Sequence, residues 1–290
     1  MFTCLNSRAV HIEITWSMET DSFILALRRV ISRRGNIRSI QSDNGTNFVG
    51  AFSELQKAFN NMDHDRIQQF LSTHGTDWLI WNRNTPAASH MGGIWERQIR
   101  SARSILTALM KAHTGALTEE ALCTLMSEAE AIVNSRPLTV ESLSDVDSPR
   151  PLTPSHLLTM KSQVVMPPPG AFSSPDVYSR KQWRRVQHLA NEFWSRWRKE
   201  FLTNLQERQK WNQKTRNFKI NDVVLLKGES NRCEWPMARV INTYPDNDGV
   251  VRSIDLLLSK RSFREKETIL KRPINKVVLL VEATDSEATL

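Results

Sequence analysis

Asp43 lies where an apolar segment meets a turn, in the stretch "IRSIQSDNGTNF" that runs from Ile37 to Phe48. Asp and Asn before Gly are common turn residues, because their short side chains bond the local backbone and Gly accepts positive φ. A carboxylate at the end of a strand also suits a divalent metal ion, because hard cations prefer oxygen ligands. The metal interpretation needs a second carboxylate, so both interpretations of Asp43 stay open at this point.

Glu96, Arg100 and Arg103 share one face of a helix that the sequence predicts from Gly92 to His113, because they are spaced at i, i+4 and i+7. The apolar stripe of the same helix is formed by Ile99, Ala102, Leu106 and Leu109. Taken alone, the polar face is typical of a solvated helix with an i, i+4 ion pair. The spacing by itself does not distinguish this arrangement from a functional surface.

Strands and helices alternate before that helix. An alternating apolar pattern over residues 9–14 predicts a strand with one buried face, and an apolar stripe predicts a helix over Thr20–Arg33. Ile37–Ser42 and Asp77–Trp81 each predict a short strand. This alternation indicates an α/β sheet, in which sites form at the carboxyl ends of strands, and Asp43 falls at such an end.

The second half of the chain changes character. A helix is predicted over Thr118–Ser135 with Thr118 as its N-cap, and the proline-rich stretch Pro149–Pro175 marks a boundary. A long basic helical pattern follows over Ser179–Arg216. Residues 222–282 contain four or five short β-rich runs with a "PDNDG" turn between two of them, which suits a small barrel.

Composition limits the partners of the protein. The 290 residues carry a formal net charge of +8 with a pI of about 9.6, which favours an acidic partner, most commonly nucleic acid. Cys4, Cys123 and Cys233 form no CxxC pair, so the sequence indicates neither a disulfide framework nor a cysteine zinc site. No apolar run reaches the roughly 18 residues of a membrane span, so we expect a soluble intracellular protein without a membrane partner.

Several motifs also occur together in a fixed order: "SRAVHIEI", "SIQSDNGTNF", "TPAASHMGGIWERQIRSAR", "NSRPLT" and "LTPSHLL". In this order they resemble the integrase of LTR retrotransposons, most closely that of the BEL/Pao group, and this resemblance covers nearly the whole chain. It implies an α/β fold: a ribonuclease-H-like mixed sheet with flanking helices and its first strand missing, then a long helix and a small SH3-like β-barrel. The implied domains are a partial catalytic core at 1–160, a Pro-rich linker at 161–178, a basic Trp-rich helix at 179–216, an SH3-like barrel at 217–283 and a tail at 284–290.

The resemblance also implies a chemistry. The family uses a D,D,E carboxylate triad, in which two divalent ions about 3.5–4 Å apart activate an attacking oxygen and stabilise the leaving one. Asp43 matches the second carboxylate and Glu96 the third, so both are implied to be catalytic and to bind Mg²⁺ or Mn²⁺. The implied reaction is 3′-end processing of DNA and strand transfer, joining element ends to target DNA. A homo-oligomer, no small-molecule cofactor and a nuclear location follow from the same resemblance.

The resemblance extends to DNA contacts. Arg100 and Arg103 match basic positions that hold DNA ends, and Asn47 and His90 are neighbours of the substrate in this interpretation, although His90 is equally suited to bond near the glycines that follow it. Further candidate phosphate ligands in the basic helix are Arg184, Arg185, Arg196, Arg198 and Lys199. The tryptophans of that helix, Trp183, Trp194 and Trp197, suit core packing better than base stacking, because duplex DNA exposes no base faces.

Two features depart from the family pattern. The interval between Asp43 and Glu96 is longer than usual, which a surface insertion around residues 60–76 accommodates at little cost. The first carboxylate of the triad belongs to a strand that would precede Phe2, and neither Glu13 nor Asp21 occupies its place. The resemblance therefore implies an impaired transferase, with an inactive integrase-derived DNA-binding and assembly module as the alternative.

Overall fold

The structure is a computed structural model, and it describes residues 1–35, 37, 39–42, 53, 80–83, 93–113, 117–140, 151–161, 168, 170–206, 216–259 and 268–283. The chain divides into two compact units, of which the first contains residues 1–2 and 11–98 and the second contains residues 3–10 and 99–290. The described ranges contain both helices and strands, so the protein is mixed α/β, as the sequence predicts. None of the helices in these ranges is long and apolar enough to cross a membrane.

The short strands β1 (Phe2–Thr3) and β2 (Val10–His11) form a two-stranded sheet, so the predicted strand over residues 9–14 is regular for two residues only. The helix α1 (Thr20–Arg34) has the predicted extent, and Gly35 follows it with φ of 84°. The strands β3 (Ser39–Ser42) and β4 (Ile80–Arg83) pair in parallel. Parallel pairing requires a long crossover, which is typical of an α/β sheet.

The core of the first unit forms on one face of α1. Phe23 and Leu27 are buried, and Phe2, Ile31 and Ile40 pack around them. The i, i+4 spacing of the two buried residues places both on the same side of the helix, as the sequence pattern predicts.

Glu13 is held by cations of the first unit. Its carboxylate accepts hydrogen bonds from Arg29 at 2.7 Å and from Arg33 at 2.6 Å, and His11 lies 3.0 Å from it. Burial raises the pKa of Glu13, but these partners outweigh burial and hold the pKa below its ordinary value. The carboxylate of Glu13 is therefore part of an internal ion-pair network.

The second half of the described chain contains α2 (Gly93–Ala112), α3 (Glu119–Asn134), α4 (Pro154–Thr159) and α5 (Gln182–Leu205). The extents of α2 and α3 follow the sequence pattern, and α5 covers the first part of the predicted segment 179–216, of which residues 207–215 lie outside the described residues. The sequence did not predict α4, which lies in the proline-rich stretch. Thr118 caps α3 as predicted, because its hydroxyl accepts a hydrogen bond from the amide of Ala121. Two short strands, β5 (Thr139–Val140) and β6 (Pro151–Leu152), pair antiparallel between α3 and α4, and a 3₁₀ helix covers Ser174–Tyr178.

The helix α3 packs against α5 in the second unit. Gln187 donates to Glu128 at 2.8 Å, and Arg232 donates to the same Gln187 side chain from the loop between the first two strands of the C-terminal sheet. The end of α2 also meets α5, since Nε2 of His113 lies 3.2 Å from the carboxylate of Glu192. The helix α5 therefore contacts both α3 and the residue that follows α2.

The motif "NSRP" at the end of α3 binds backbone rather than solvent. The side-chain amide of Asn134 donates to the carbonyl of Val10 at 2.7 Å, and its oxygen accepts from the amide of Val10 at 2.8 Å. Arg136 is fully buried and donates to the carbonyls of Val133 and Arg8. Burial lowers the pKa of Arg136 to about 10, which leaves the guanidinium charged at neutral pH.

The next residue of the motif connects to the C-terminal sheet. The hydroxyl of Ser135 donates to the carbonyl of Ile132 at 2.8 Å and accepts a hydrogen bond from the indole of Trp235 at 3.2 Å. Trp235 in turn packs edge-on against Trp194 and Phe201 of α5. The motif thus connects the end of α3 with residues 8–10 and with Trp235, which lies shortly before the second strand of the sheet.

Five antiparallel strands form that sheet, in the order β10-β9-β8-β7-β11. They are β7 (Val223–Leu226), β8 (Met237–Pro245), β9 (Val251–Leu258), β10 (Ile269–Pro273) and β11 (Val277–Val281), with a 3₁₀ turn at Ile274–Lys276 before the last. The predicted turn between β8 and β9 is confirmed by hydrogen bonds that close the loop at Asp246. Val224, Val240, Ile254 and Leu256 form the buried core of this sheet.

The side chain of Asp222 binds residues that precede the first strand of the sheet and a residue that follows the last strand. Its buried carboxylate accepts two hydrogen bonds from Arg216 and one each from the amides of Lys219 and Ala283, all at 2.8–2.9 Å. Burial raises the pKa of Asp222, but these donors outweigh burial, and the net pKa lies below its ordinary value.

The Asn134 contact predicts a stability effect. In the Asn134→Ala variant the buried amide and carbonyl of Val10 lose their partners, and each unpaired group costs about 1–3 kcal/mol. Urea unfolding of the full chain should therefore give a lower free energy of unfolding than wild type. The exposed residue Asn231 supplies the control, because Asn231→Ala removes no such contact. Equal stability of the two variants would contradict the structural role.

Asp222 predicts a pH dependence. Its depressed pKa contributes stability above the ordinary pKa of about 4, and this contribution is lost as pH falls through the lower folded-state value. Asp222→Asn should lower the free energy of unfolding at pH 7 by about 2–3 kcal/mol, and the gap should close on acidification below pH 4. Asp21 is exposed in the first turn of α1, so Asp21→Asn provides the comparison, and a pH-independent gap for Asp222→Asn would refute the assignment.

Candidate nucleic-acid interface

The predicted catalytic residues fall mainly outside the part that the structure describes. Asp43, Asn47 and His90 lie outside the described residues. Glu96 lies in α2, whose side chains are described from Ile99 onward. The strand β3 ends at Ser42, so Asp43 directly follows a strand that pairs in parallel, as the sequence predicts. Among the described residues, no three His, Cys, Asp or Glu side chains cluster in a way that could hold a metal ion.

Arg100 and Arg103 are exposed on α2, whereas Ala102, Ile105 and Leu109 of the same helix are buried. This division follows from the 3.6-residue period of the helix, and it agrees with the polar and apolar faces predicted from the sequence. Two positive charges, three residues apart, therefore project from one helix of the second unit. An exposed arginine can donate two parallel hydrogen bonds to a phosphate.

Arg184 has partners within the protein. Its guanidinium donates to Asp176 at 2.7 Å and to the carbonyl of Ala171 at 3.0 Å, and it lies over the rings of Phe172 and Trp183. The hydrogen bond from Arg184 holds the pKa of Asp176 below its usual range. This arginine therefore folds residues 171–176 onto the first turn of α5.

Arg185 makes a similar local contact, because its Nε donates to the carbonyl of Val177. A contact of Arg184 or Arg185 with DNA stays a prediction. Some of their N–H donors already bind groups inside the protein, and only the remaining donors could bind DNA. We therefore expect these two arginines to contribute less to DNA affinity than exposed arginines.

The tryptophans of α5 pack internally. Trp194 and Trp197 are buried, and the indole of Trp194 donates to the carbonyl of Ser230 at 3.2 Å. Trp183 is half exposed and meets Phe172 edge-on. The packing interpretation is confirmed for Trp194 and Trp197, which are both buried. Trp194 contacts Ser230 and Trp235 in the loop between β7 and β8, whereas Trp197 stacks with Phe193 and Phe201 of α5 itself.

Two neighbouring clefts open beside that junction. The larger, of about 820 Å³, lies between α5 and the loop Lys227–Arg232, and we call it the helix cleft. The smaller, of about 520 Å³, lies between the same loop and the end of β10, and we call it the lysine cleft. Arg198, Lys227, Gly228 and Glu229 line both.

Arg198 shapes the wall that the clefts share. It is buried, and its guanidinium donates to the carbonyls of Leu226 and Gly228 while lying 6.0 Å from the ring centre of Trp235. Burial lowers the pKa of Arg198. Its contacts in the described part of the chain are carbonyl groups and an aromatic ring, so its positive charge is not neutralised by a carboxylate there.

Sequence analysis did not identify three basic residues of the lysine cleft: Lys227, Arg272 and Lys276. They come from the end of β7, from β10 and from the 3₁₀ turn before β11. Because they are separated by up to 49 positions and follow no common motif, only the pairing of the strands brings them together. The one sequence signal is that each cation adjoins a β-rich run.

Comparison with protein families shows that residues 181–280 match a family described only as a family of unknown function (DUF5641). This segment contains α5, the whole lining of the lysine cleft and all of the C-terminal sheet except the last residue of β11. The helix cleft is lined in addition by Pro168, Gly170 and Phe172, which precede the segment. No curated protein matches the chain.

Proposed function

We propose that this chain belongs to a DNA-integrating system, as a metal-dependent polynucleotidyl transferase that processes DNA 3′ ends and joins them to target DNA. The observation that carries the proposal is α2, a helix that contains Glu96 and continues into exposed Arg100 and Arg103. A carboxylate followed by phosphate-binding arginines on one helix suits a phosphodiester substrate.

Asp43 and Glu96 are the residues proposed to hold Mg²⁺ or Mn²⁺. When bound, the two ions of the intact site would activate the attacking oxygen and stabilise the leaving oxygen. The chain's own contribution is to present hard oxygen ligands at the end of β3 and in the first turn of α2, and to orient the DNA through the arginines that follow. Action as a homo-oligomer in the nucleus is part of the same proposal.

The finer fold assignment is also a proposal. The parallel pair β3–β4 beside α1 supports a ribonuclease-H-like core. In the C-terminal sheet, β7 pairs with both the second strand, β8, and the last strand, β11, and a 3₁₀ turn precedes β11. This strand order supports an SH3-like barrel.

A second candidate is an integrase-derived module that binds DNA and assembles on it without transferring strands. Two observations favour it. The basic lysine cleft lies within residues 181–280, the segment that matches a family model. Glu13, an acid close to the start of the first unit, already binds Arg29 and Arg33, so it does not serve as a free metal ligand.

Strand joining distinguishes the two candidates. The purified chain should join a labelled duplex end to target DNA in Mg²⁺ or Mn²⁺, and Asp43→Asn and Glu96→Gln should each lower the rate at least 100-fold, because removal of a metal ligand removes charge stabilisation at the phosphate. Asp21→Asn, in the first turn of α1, is the matched control. If the wild-type chain binds DNA but joins no strands in Mg²⁺ or in Mn²⁺, the transferase proposal is wrong. The second candidate, a DNA-binding module without strand transfer, then stands.

DNA binding itself should depend on α2. The double variant Arg100→Gln/Arg103→Gln should weaken duplex binding and reduce the slope of log K against log salt by about 1.8, since each phosphate contact contributes roughly 0.9. Arg28→Gln removes an exposed arginine from α1 and tests whether the loss of positive charge alone, at another place, weakens duplex binding. Fluorescence anisotropy from 50 to 300 mM salt measures both quantities. An unchanged slope in the double variant would exclude α2 from the interface.

A further inference from the structure

The lysine cleft collects positive charge from three separate elements. Lys227 follows β7, Arg272 belongs to β10 and Lys276 ends the 3₁₀ turn before β11. The buried guanidinium of Arg198 lies at the wall of the same cleft. Four cations therefore line about 520 Å³, and the acidic residue among the lining residues is Glu229.

Lys227 is held in place before any ligand binds. Its ammonium donates to the carbonyl of Asn275 at 2.9 Å, and its backbone amide donates to the carbonyl of Lys276 at 2.8 Å. These two bonds tie the end of β7 to the turn that carries Lys276. The ammonium of Lys227 is therefore fixed relative to the backbone of the turn, so its side chain loses little further conformational entropy when a ligand binds. The side chains of Arg272 and Lys276 are exposed.

This arrangement is electrostatically unfavourable without an anion. Burial lowers the pKa of Lys227, and the charge of Lys276 lowers it further. Arg198 adds a third charge whose described partners are carbonyl groups and an aromatic ring. Like charges held near one another in a partly desolvated cleft repel one another. A multivalent anion bound between them would attract each of them, and the net electrostatic energy would become favourable.

We propose that the lysine cleft is a phosphate-binding site, with Lys227, Arg272 and Lys276 as its ligands and Arg198 as the fixed charge behind them. Arg272 supplies paired donors that match two oxygens of one phosphate, and the two lysines supply point charges. The volume accommodates one or two phosphate groups with their water, but not a folded partner.

The phosphate has two sources, a strand of nucleic acid or a free polyphosphate. The first source rests on the proposed function, because a DNA-joining protein must hold its substrate by the backbone. The second is independent of that function. The cleft chemistry is the same in both, so the experiment uses one probe of each kind.

The test measures binding of sodium tripolyphosphate by isothermal titration and of a labelled DNA duplex by anisotropy. Both use the full chain. Arg272→Gln/Lys276→Met removes two ligands without touching the hydrogen bond from Lys227 to Asn275. Lys271→Met is the matched control, because Lys271 neighbours Arg272 on the strand but lies over the ring of Tyr244, 3.6 Å from its centre, and does not line the cleft.

The expected result is a loss of tripolyphosphate affinity of at least tenfold in the double variant, with the control unchanged. If DNA uses the cleft, the double variant should also reduce the salt slope of duplex binding by about 1.8. Tripolyphosphate binding without an effect on DNA would assign the site to a free polyphosphate. Equal affinities of wild type, double variant and control for both probes would overturn the proposal. Duplex binding by wild type in that case would leave the proposed function standing.

Discussion

The pairing of the Asn134 side chain with the backbone of Val10 is the contact on which the arrangement of the second unit depends. An amide side chain has both a donor group and an acceptor group, so it can replace a neighbouring strand for a single residue, and the two bonds of 2.7 and 2.8 Å do so. Because the site is buried, neither group of Val10 can turn to water, and the contact is costly to break. It joins residues 124 positions apart and thereby sets where α3 ends.

From that point the packing extends to the clefts in consecutive contacts. Ser135, next to Asn134, accepts the indole proton of Trp235, and Trp235 packs between Trp194 and Phe201 of α5. Arg198, one turn after Trp194, then binds the two carbonyls at the end of β7. The loop that separates the helix cleft from the lysine cleft is thus positioned by a series of buried polar and aromatic contacts. The hydroxyl of Ser135, the indole N–H of Trp235 and the two terminal nitrogens of Arg198 each have a specific partner, which favours one arrangement of α5 and the sheet.

Periodicity predicted most elements, because helices and paired strands impose it locally. The extents of α1, α2 and α3, the cap at Thr118 and the turn after β8 follow from residues close in sequence. The roles of "NSRP" and of the lysine cleft do not, because they arise from contacts between distant segments. Sequence alone identified Arg184 as a DNA ligand from its charge, yet its position eight residues after Asp176 gives it an internal partner. Asp43 and Glu96 were identified through resemblance, and their side chains lie outside what the structure describes.

The net charge of +8 is not all available to an acidic partner, because several of the cations bind groups inside the protein. Arg136, Arg184, Arg198, Arg216 and Arg232 bind carbonyls or side chains within the second unit. Arginine suits this use because its planar donors hold several acceptors at once and its charge persists when buried. The charge available to a phosphate backbone then lies on exposed residues such as Arg100 and Arg103 and on the crowded lysine cleft. For the proposed binding of nucleic acid, this division predicts contacts at defined places rather than over the whole surface, so the salt dependence should reflect a few contacts and not the total charge.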